Sequence, residues 1–227
     1  MSAPTSRLAE PRTELGPGPA GHRRRGLALA VLLAALAGMV DGIGFLRLGH
    51  LYVSYMSGNS TQMALAAGRW RLDEAGAILV LVGLFVVGAA GGQILSHLFG
   101  RRHLTAVLAV VVMLLAMSAA LDTATKPMVL AMGILNSAMH RAGDIPVNLT
   151  FVTGTLVRFG QGLGDFAIGR ADGWVWLQQA VPWLGLIAGA ALAGALSLRI
   201  GAVVDWVPVG LASALLLWSV AIAEQPL

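Results

Sequence analysis

The chain has 227 residues, of which 57% are hydrophobic and 11% are charged, and its mean hydropathy is +0.77. A soluble domain of this length cannot bury so much apolar surface in one core, so these values predict an integral membrane protein. The net charge of +4 does not indicate a nucleic-acid partner, because the arginines flank apolar segments instead of forming one basic face. The absence of cysteine excludes disulfides and thiolate chemistry.

The first 25 residues, 1–25, are predicted to form a disordered basic tail, because they are rich in proline and polar residues and show no apolar periodicity. The apolar run that follows, residues 27–46, is long enough to cross a bilayer and carries one charged residue, Asp41. This run is too long for a secretory signal, and no clean cleavage site of small residues follows it. It therefore predicts a retained transmembrane helix.

The rest of the chain repeats one order of segments, namely an apolar helix A, a polar segment B and two further apolar helices, C and D. In the first half these segments are residues 27–46, 52–68, 75–98 and 104–121, and in the second they are residues 126–141, 148–164, 177–198 and 203–223. Backbone groups in lipid must be paired within the segment that spans, so the predicted fold class is an all-α polytopic bundle.

Similar blocks recur in the same order in both halves. A shift of 96 positions aligns SYMSG, residues 54–58, with TFVTG, residues 150–154. GMVDG, residues 38–42, matches GILNS, residues 133–137, so that Asp41 pairs with Asn136; GLFVVGAAGG, residues 83–92, matches GLIAGAALAG, residues 185–194. The blocks predict two membrane repeats, residues 26–122 and 123–227. Chance similarity among apolar segments is the alternative.

Two stretches also resemble a known family. They are DGIGFLRLGHLYVSYMSGNST, residues 41–61, and MGILNSAMHRAGDIPVNLTFVTGTLVRFGQGL, residues 132–163. Both are similar to the YoaK family of bacterial transmembrane proteins, whose members carry a domain of unknown function. The residues that match the family pattern are Asp41, Gly58, Asn59, Thr153, Gly154, Thr155 and Arg158. The resemblance implies about six membrane helices and no established activity.

The topology depends on whether the B segments cross the membrane. If both cross, the chain has eight helices and parallel halves; if both are short or re-entrant, about six helices cross and the halves are inverted. Charge favours the inverted arrangement, because it places eight arginines (residues 23–25, 101, 102, 141, 158 and 170) on one side and four basic residues (69, 71, 126 and 199) on the other. The sequence thus predicts a multi-pass protein of the bacterial inner membrane with a cytoplasmic N-terminus.

The B segments and the acidic residue of helix A define the predicted binding site. Short or broken helices at membrane depth are tolerated where protein or a watery cavity surrounds them, and in duplicated transporters they form the solute site. The candidate substrate-binding residues are Asp41, Ser57, Asn59, Thr61, Asn136, Thr153, Thr155 and Arg158. We expect Asp41 and Asn136 to lie close together at a pseudo-twofold axis, with Asp41 coupling transport to a proton or cation. A solvated position for Asp41 at a helix end is the alternative.

Arg158 has two interpretations. It either faces the cavity, where it would hold an anionic group or pair with Asp165 or Asp41, or it anchors the chain at the cytoplasmic surface. The glycines fit packing between helices better than ligand binding, because they form patterns of two small residues four positions apart.

Three classes of function compete. A small-solute or ion transporter or channel is favoured, a structural or accessory membrane protein is next, and an enzyme is disfavoured because the hydroxyls of Ser57 and Thr153 have no histidine at a suitable spacing. The five histidines show no metal-ligand spacing, so neither a metal nor another cofactor is expected. The expected partners are the lipid bilayer, an unidentified small solute or ion and, in a homo-oligomer, a second copy of the chain, with no nucleic acid.

Overall fold

The computed structural model describes residues 20–121, 125–139, 152–170, 177 and 180–223. The described residues form α-helices joined by turns and include no β-strand, so the all-α prediction is confirmed for this part of the chain. The helices are α1 (Ala20–Arg47), α2 (Met56–Gly68), α3 (Leu72–Phe99), α4 (His103–Ala120), α5 (Lys126–Met139), α6 (Val152–Ala167), α7 (Ala180–Ile200) and α8 (Trp206–Ala223). The predicted tail lies outside the described residues up to position 19, and its last six positions, 20–25, begin α1.

Among the described residues, three helical stretches are long and apolar enough to cross a membrane: Arg25–Arg47, Leu72–Ala120 and Ala180–Ala221. The second holds α3 and α4, joined by a short 3-10 turn at Gly100–Arg102, and the third holds α7 and α8, joined at Gly201–Asp205. In the most apolar part of the first stretch 56% of the residues are buried, whereas the buried share is 22% in the second stretch and 33% in the third. Helix α1 therefore lies inside the bundle, while the other two stretches present apolar faces of the kind that lipid covers.

The core is apolar and is built around α1 and α5. Leu33, Leu36 and Val40 of α1 and Met132 and Leu135 of α5 are fully buried. Helix α1 packs mainly against α7, and α5 packs mainly against α3 and α4. The two halves of the chain are therefore joined by their helices and do not form separate bundles.

Glycines allow the closest helix approaches. A Cβ at Gly38 of α1 would overlap the carbonyl of Leu186 in α7, and a Cβ at Gly189 of α7 would overlap the carbonyl of Ala35. The contacts between α3 and α5 are similar, because a Cβ at Gly88 would meet the carbonyl of Leu130. These glycines have the packing role that the spacing indicates. A Cβ at Gly160 or Gly164 of α6, in contrast, would meet no atom within 4 Å.

The order of these contacts gives the helix directions. Contacts between α1 and α7 advance in the same direction along both helices, from Val31 against Gly185 to Gly42 against Ala193. The two helices therefore run parallel. Contacts between α3 and α5 advance in the same way, from Gly88 against Leu130 to Gly92 against Ile134, so these helices are also parallel.

Two contacts fix which ends of the helices lie together. Arg47 at the end of α1 forms an ion pair with Asp205 in the turn between α7 and α8. Thr105 at the start of α4 is hydrogen-bonded to Ser219 near the end of α8, with 3.0 Å between the hydroxyl oxygens. Because α8 leads from one contact to the other, the α3–α4 turn and the end of α1 lie at opposite ends of the bundle. Helices α1 and α3 thus point in opposite directions, although α2 lies between them in sequence.

Candidate functional site

The connection between α1 and α2 folds back along α1 to reach Asp41. The Oδ1 atom of Asp41 accepts the backbone N–H of Val53 at 2.8 Å and that of Ser54 at 2.6 Å. The Oδ2 atom accepts the hydroxyl hydrogen of Ser54 at 2.5 Å. The reversal takes place at Gly49 and His50, which both have positive φ angles, of 63° and 73°. Glycine adopts this conformation without steric cost, whereas His50 is held in it by the surrounding fold.

Asn59 closes the same connection from the other side. Its side chain is fully buried, its Oδ1 atom accepts the backbone N–H of Tyr52 at 3.0 Å, and its Nδ2 atom donates to the carbonyl of Tyr52 at 2.6 Å. The amide therefore pairs with a backbone residue in the way that another peptide group would. This pairing satisfies both backbone polar groups of Tyr52, a loop residue next to the fully buried Val53.

Replacing Asn59 with alanine is expected to lower the free energy of unfolding by about 1–3 kcal/mol, because the N–H and C=O groups of Tyr52 lose their partners. Thermal unfolding of the purified protein in detergent measures this loss. Gln62→Ala is the matched control, since the Gln62 amide makes one exposed bond of 3.3 Å to the His50 carbonyl. Equal stability of the two variants would contradict a structural role for Asn59.

A cavity of about 460 Å³ lies next to this connection. Four parts of the chain line it, namely α1, the α1–α2 connection, α6 and α7, through Gly38, Asp41, Gly42, Phe45, Tyr52, Ser54, Tyr55, Thr153, Leu186 and Ala190. Asp41, Ser54 and Thr153 supply polar groups to a wall that is otherwise mainly apolar and aromatic. Ligand sites generally combine a concave apolar wall with a few polar groups in this way.

Both short helices begin at this cavity. Tyr55, the residue before α2, and Thr153, the second residue of α6, line it. The first residues of the two helices, Met56 and Val152, are 96 positions apart, which is the offset found between the B segments in the sequence. Helix α2 has 13 residues. A helix of that length is about 20 Å long, which is too short to cross a hydrocarbon layer of about 30 Å.

The predicted site residues divide into two groups. Asp41 and Thr153 line the cavity, while Ser57, Asn59, Thr61, Asn136, Thr155 and Arg158 are not among its lining residues in the described part of the chain. The Thr61 hydroxyl donates to the carbonyl of Ser57 in its own helix, at 3.0 Å. On α6, Arg158 donates to the buried Thr155 hydroxyl at 3.2 Å.

Asn136 lies on α5, where its Nδ2 atom donates to the carbonyl of Met132 at 2.8 Å. Its Oδ1 atom is buried and has no hydrogen-bond partner among the described residues. The residues that match Val53 and Ser54 in the second repeat, 149 and 150, lie outside the described residues. The proximity of Asn136 to Asp41 stays a prediction.

Sequence reasoning missed the aromatic wall. The chain holds two tyrosines, Tyr52 and Tyr55, and both line the cavity together with Phe45. The ring centroids of Phe45 and Tyr52 are 4.9 Å apart, and those of Tyr52 and Tyr55 are 5.4 Å apart. Two signals were available, because Phe45 follows Asp41 by one helical turn and both tyrosines stand in the first polar segment B, residues 52–68.

The helix bundle, its exposed apolar faces and a cavity built partly by short helices define an integral membrane protein. The chain belongs to the family described as "Protein of unknown function (DUF1275)", whose family model matches residues 29–218. It is similar to a UPF0700 transmembrane protein of Rhizobium meliloti (strain 1021), with 40% identity over 193 residues that cover 82% of this chain and 84% of the relative. No solved structure matches the chain. The predicted resemblance to an uncharacterised transmembrane family is thus confirmed.

Proposed function

We propose that the protein is a transporter or channel for a small solute or ion in the bacterial inner membrane. The proposal includes two inverted repeats, each with three spanning helices and one short helix that enters the membrane and leaves on the same side. The N-terminus is cytoplasmic, and the proposed activity involves neither a catalytic step nor a cofactor.

Equivalent helix contacts support the duplication. Gly38 and Gly133 are equivalent in the aligned repeats, and the Cβ that each lacks would overlap a carbonyl, that of Leu186 or that of Phe85. The contact of Gly189 with Ala35 has its counterpart in the contact of Gly88 with Leu130. In both cases the equivalent residues of the two C helices, α3 and α7, are 101 positions apart in the chain. The aligned sequence blocks of these helices are 102 positions apart. Helix A of each half therefore crosses helix C of the other half at matching positions.

Helix directions support the inversion. Helices α1 and α3 point in opposite directions, so the chain between them makes no net crossing. The short length of α2 and the return of its leading loop to Asp41 fit a re-entrant segment. Ends of α1 and α5 then face opposite sides of the membrane, as inverted repeats require.

The observation that carries the proposal is the position of the cavity. Asp41 lies six residues before the end of the span Arg25–Arg47, or about 9 Å along the helix axis, and so falls within the apolar layer. Residues at the start of both short helices reach the same cavity. A carboxylate at membrane depth is costly unless it is paired or functional, and it marks the solute or ion pathways of many membrane proteins.

A structural or accessory role is the second candidate, and one observation favours it. Asp41 accepts three hydrogen bonds from the connection, and the amide of Asn59 is occupied by the backbone of Tyr52. These bonds explain two polar residues of the motif by folding alone. They leave the cavity itself unexplained.

Single cysteines in this cysteine-free chain distinguish the two roles. Thr153→Cys places a thiol in the cavity, and Arg71→Cys and Arg101→Cys mark the two proposed surfaces. Each variant is reconstituted in vesicles of known orientation and treated from one side with a charged, membrane-impermeant maleimide. A transporter that exposes its site alternately to each side, or a channel with a continuous water path, predicts labelling of Thr153→Cys from both sides. A structural protein without a path through the membrane predicts labelling from one side at most.

The markers test the topology in the same experiment. Arg71→Cys should react from the side opposite to Arg101→Cys, and reaction of both from one side would overturn the inverted arrangement. Leu217→Cys is the control for a lipid-facing thiol, because this residue is 71% exposed on α8 and should react from neither side. If Thr153→Cys reacts from neither side while the markers react normally, the transport proposal fails.

A further inference from the structure

The cavity has an acidic wall without a basic partner. Asp41 is the one residue with a formal charge among the described lining residues, which include no lysine, arginine or histidine. The starts of α2 and α6, which both reach the cavity, each contribute roughly half a positive charge. These partial charges are spread over several backbone N–H groups, whereas Asp41 carries the one full charge of the described lining, so the wall next to its carboxylate attracts a cation and repels an anion.

Asp41 keeps capacity for another contact. A carboxylate accepts about four hydrogen bonds, and Asp41 accepts three from Val53 and Ser54. All three donors belong to the protein backbone or to a serine and carry no formal charge. A bound cation could thus contact Oδ2 without breaking the bonds that hold the connection.

Aromatic rings line the same space. Phe45, Tyr52 and Tyr55 form a chain of ring contacts, with the edge of one tyrosine directed at the other at an interplanar angle of 85°. Cations bind to the faces of aromatic rings when they lie within about 6 Å of the ring centroid, and quaternary ammonium groups are recognised by such clusters. A carboxylate next to three rings is therefore suited to an organic ammonium ion.

Size separates this ligand from a bare metal ion. A volume of about 460 Å³ lies in the range of pockets for small organic molecules. Calcium and magnesium need about six oxygen ligands, and the described wall offers one carboxylate and a few hydroxyls. We infer that the cavity binds a small organic monocation of the ammonium class, held by Asp41 and the aromatic rings, as the solute of the proposed transporter.

This inference rests on the proposed function for its meaning in the cell, but binding is tested without transport. Purified protein in detergent is titrated calorimetrically with choline and, separately, with dimethylbutanol, the uncharged carbon isostere of choline. Choline should bind at least about tenfold more tightly, because the isostere cannot use a cation–π contact. Equal affinities, no binding of choline or saturable binding of potassium chloride alone would overturn the inference.

Variants assign the binding to this cavity. Asp41→Asn keeps acceptors for the backbone N–H groups and removes the charge, so it should weaken choline binding at least about tenfold. Tyr55→Leu, at a residue that is 43% exposed, should weaken it about 2- to 30-fold, and Tyr55→Phe should lose less because it keeps the ring. The matched controls are Asp73→Asn and Phe99→Leu, which lie outside the cavity lining and should bind choline like the unmodified chain. Unchanged affinity in folded Tyr55→Leu would contradict the assignment even if Asp41→Asn did not fold.

The two proposals can fail independently. If choline does not bind and Thr153→Cys still reacts from both sides, the solute class is wrong and transport stands. If choline binds at Asp41 and Thr153→Cys reacts from neither side, the cavity is an ammonium site of a protein that does not transport.

Discussion

Gly38→Leu is expected to lower the free energy of unfolding by at least about 3 kcal/mol. A Cβ at this position would overlap the carbonyl of Leu186, which belongs to the backbone of α7 and cannot rotate away. The α1–α7 contact would have to open along its length, and overpacking of a tight interface typically costs 1–3 kcal/mol even where side chains can move. Thermal unfolding in detergent, followed by the loss of the monodisperse peak on size exclusion, measures the effect.

Gly83→Leu is the matched control, because a Cβ at Gly83 meets no atom within 4 Å and the position is exposed on α3. This variant should be neutral or more stable by up to about 1 kcal/mol, since leucine favours helix more than glycine does. Gly133→Leu, the repeat equivalent of Gly38, would overlap the carbonyl of Phe85 and should destabilise by a similar amount. If Gly38→Leu is as stable as Gly83→Leu, the close crossing of α1 and α7 is wrong.

Apolar length predicts the long helices well. Helix α3 was expected at residues 75–98 and is observed at Leu72–Phe99, and α4 was expected at residues 104–121 and is observed at His103–Ala120. Long apolar runs leave little choice in a membrane, because helix formation is the way to pair their backbone groups. The difference at α1, which begins at Ala20 instead of residue 27, arises because arginines continue a helix as readily as apolar residues do.

Segment B could not be placed from its pattern. The first B segment was expected at residues 52–68, which is long enough to just cross the membrane, but α2 begins at Met56. The four residues before it form the loop that Asp41 and Asn59 hold, through Val53, Ser54 and Tyr52. A side chain that bonds to backbone seven to 13 positions away leaves no periodic signal, so these contacts decide where the helix begins.

The same contacts explain the difference at the site. A polar residue in an apolar segment is predicted to be either functional or paired, but the sequence does not tell which of the two applies. In the structure the Asn59 side chain is paired with backbone, while Asp41 also lines the cavity. Asp41 and Asn136 are expected to be neighbours because they are repeat equivalents, and this proximity stays a prediction. Their helices pack mainly against other helices, α1 against α7 and α5 against α3.

Asp41→Ala should lower the free energy of unfolding by about 3–5 kcal/mol and release the α1–α2 connection. The substitution removes the acceptor of three bonds, two from backbone N–H groups and one from the Ser54 hydroxyl, and bonds to a charged acceptor contribute about 1.5–3 kcal/mol each. Val53 and Ser54 are both buried, so water replaces the lost acceptor poorly. The connection should then move away from α1, which maleimide labelling of Ser57→Cys would detect as a faster reaction in the Asp41→Ala background.

Asp41→Asn separates the structural role of this residue from its charge. The asparagine Oδ1 atom can accept both backbone bonds and its Nδ2 atom can donate to the Ser54 hydroxyl, so we expect a loss of only about 1 kcal/mol. Asp73→Ala is the control for removing an acidic side chain, because Asp73 is exposed in the first turn of α3 and its favourable interaction with the helix dipole is about 0.3–1 kcal/mol. An Asp41→Ala protein as stable as Asp73→Ala would show that the carboxylate does not hold the connection. A folded Asp41→Asn protein that keeps its stability and loses choline binding would show that the charge serves the ligand, while the oxygen atoms serve the fold.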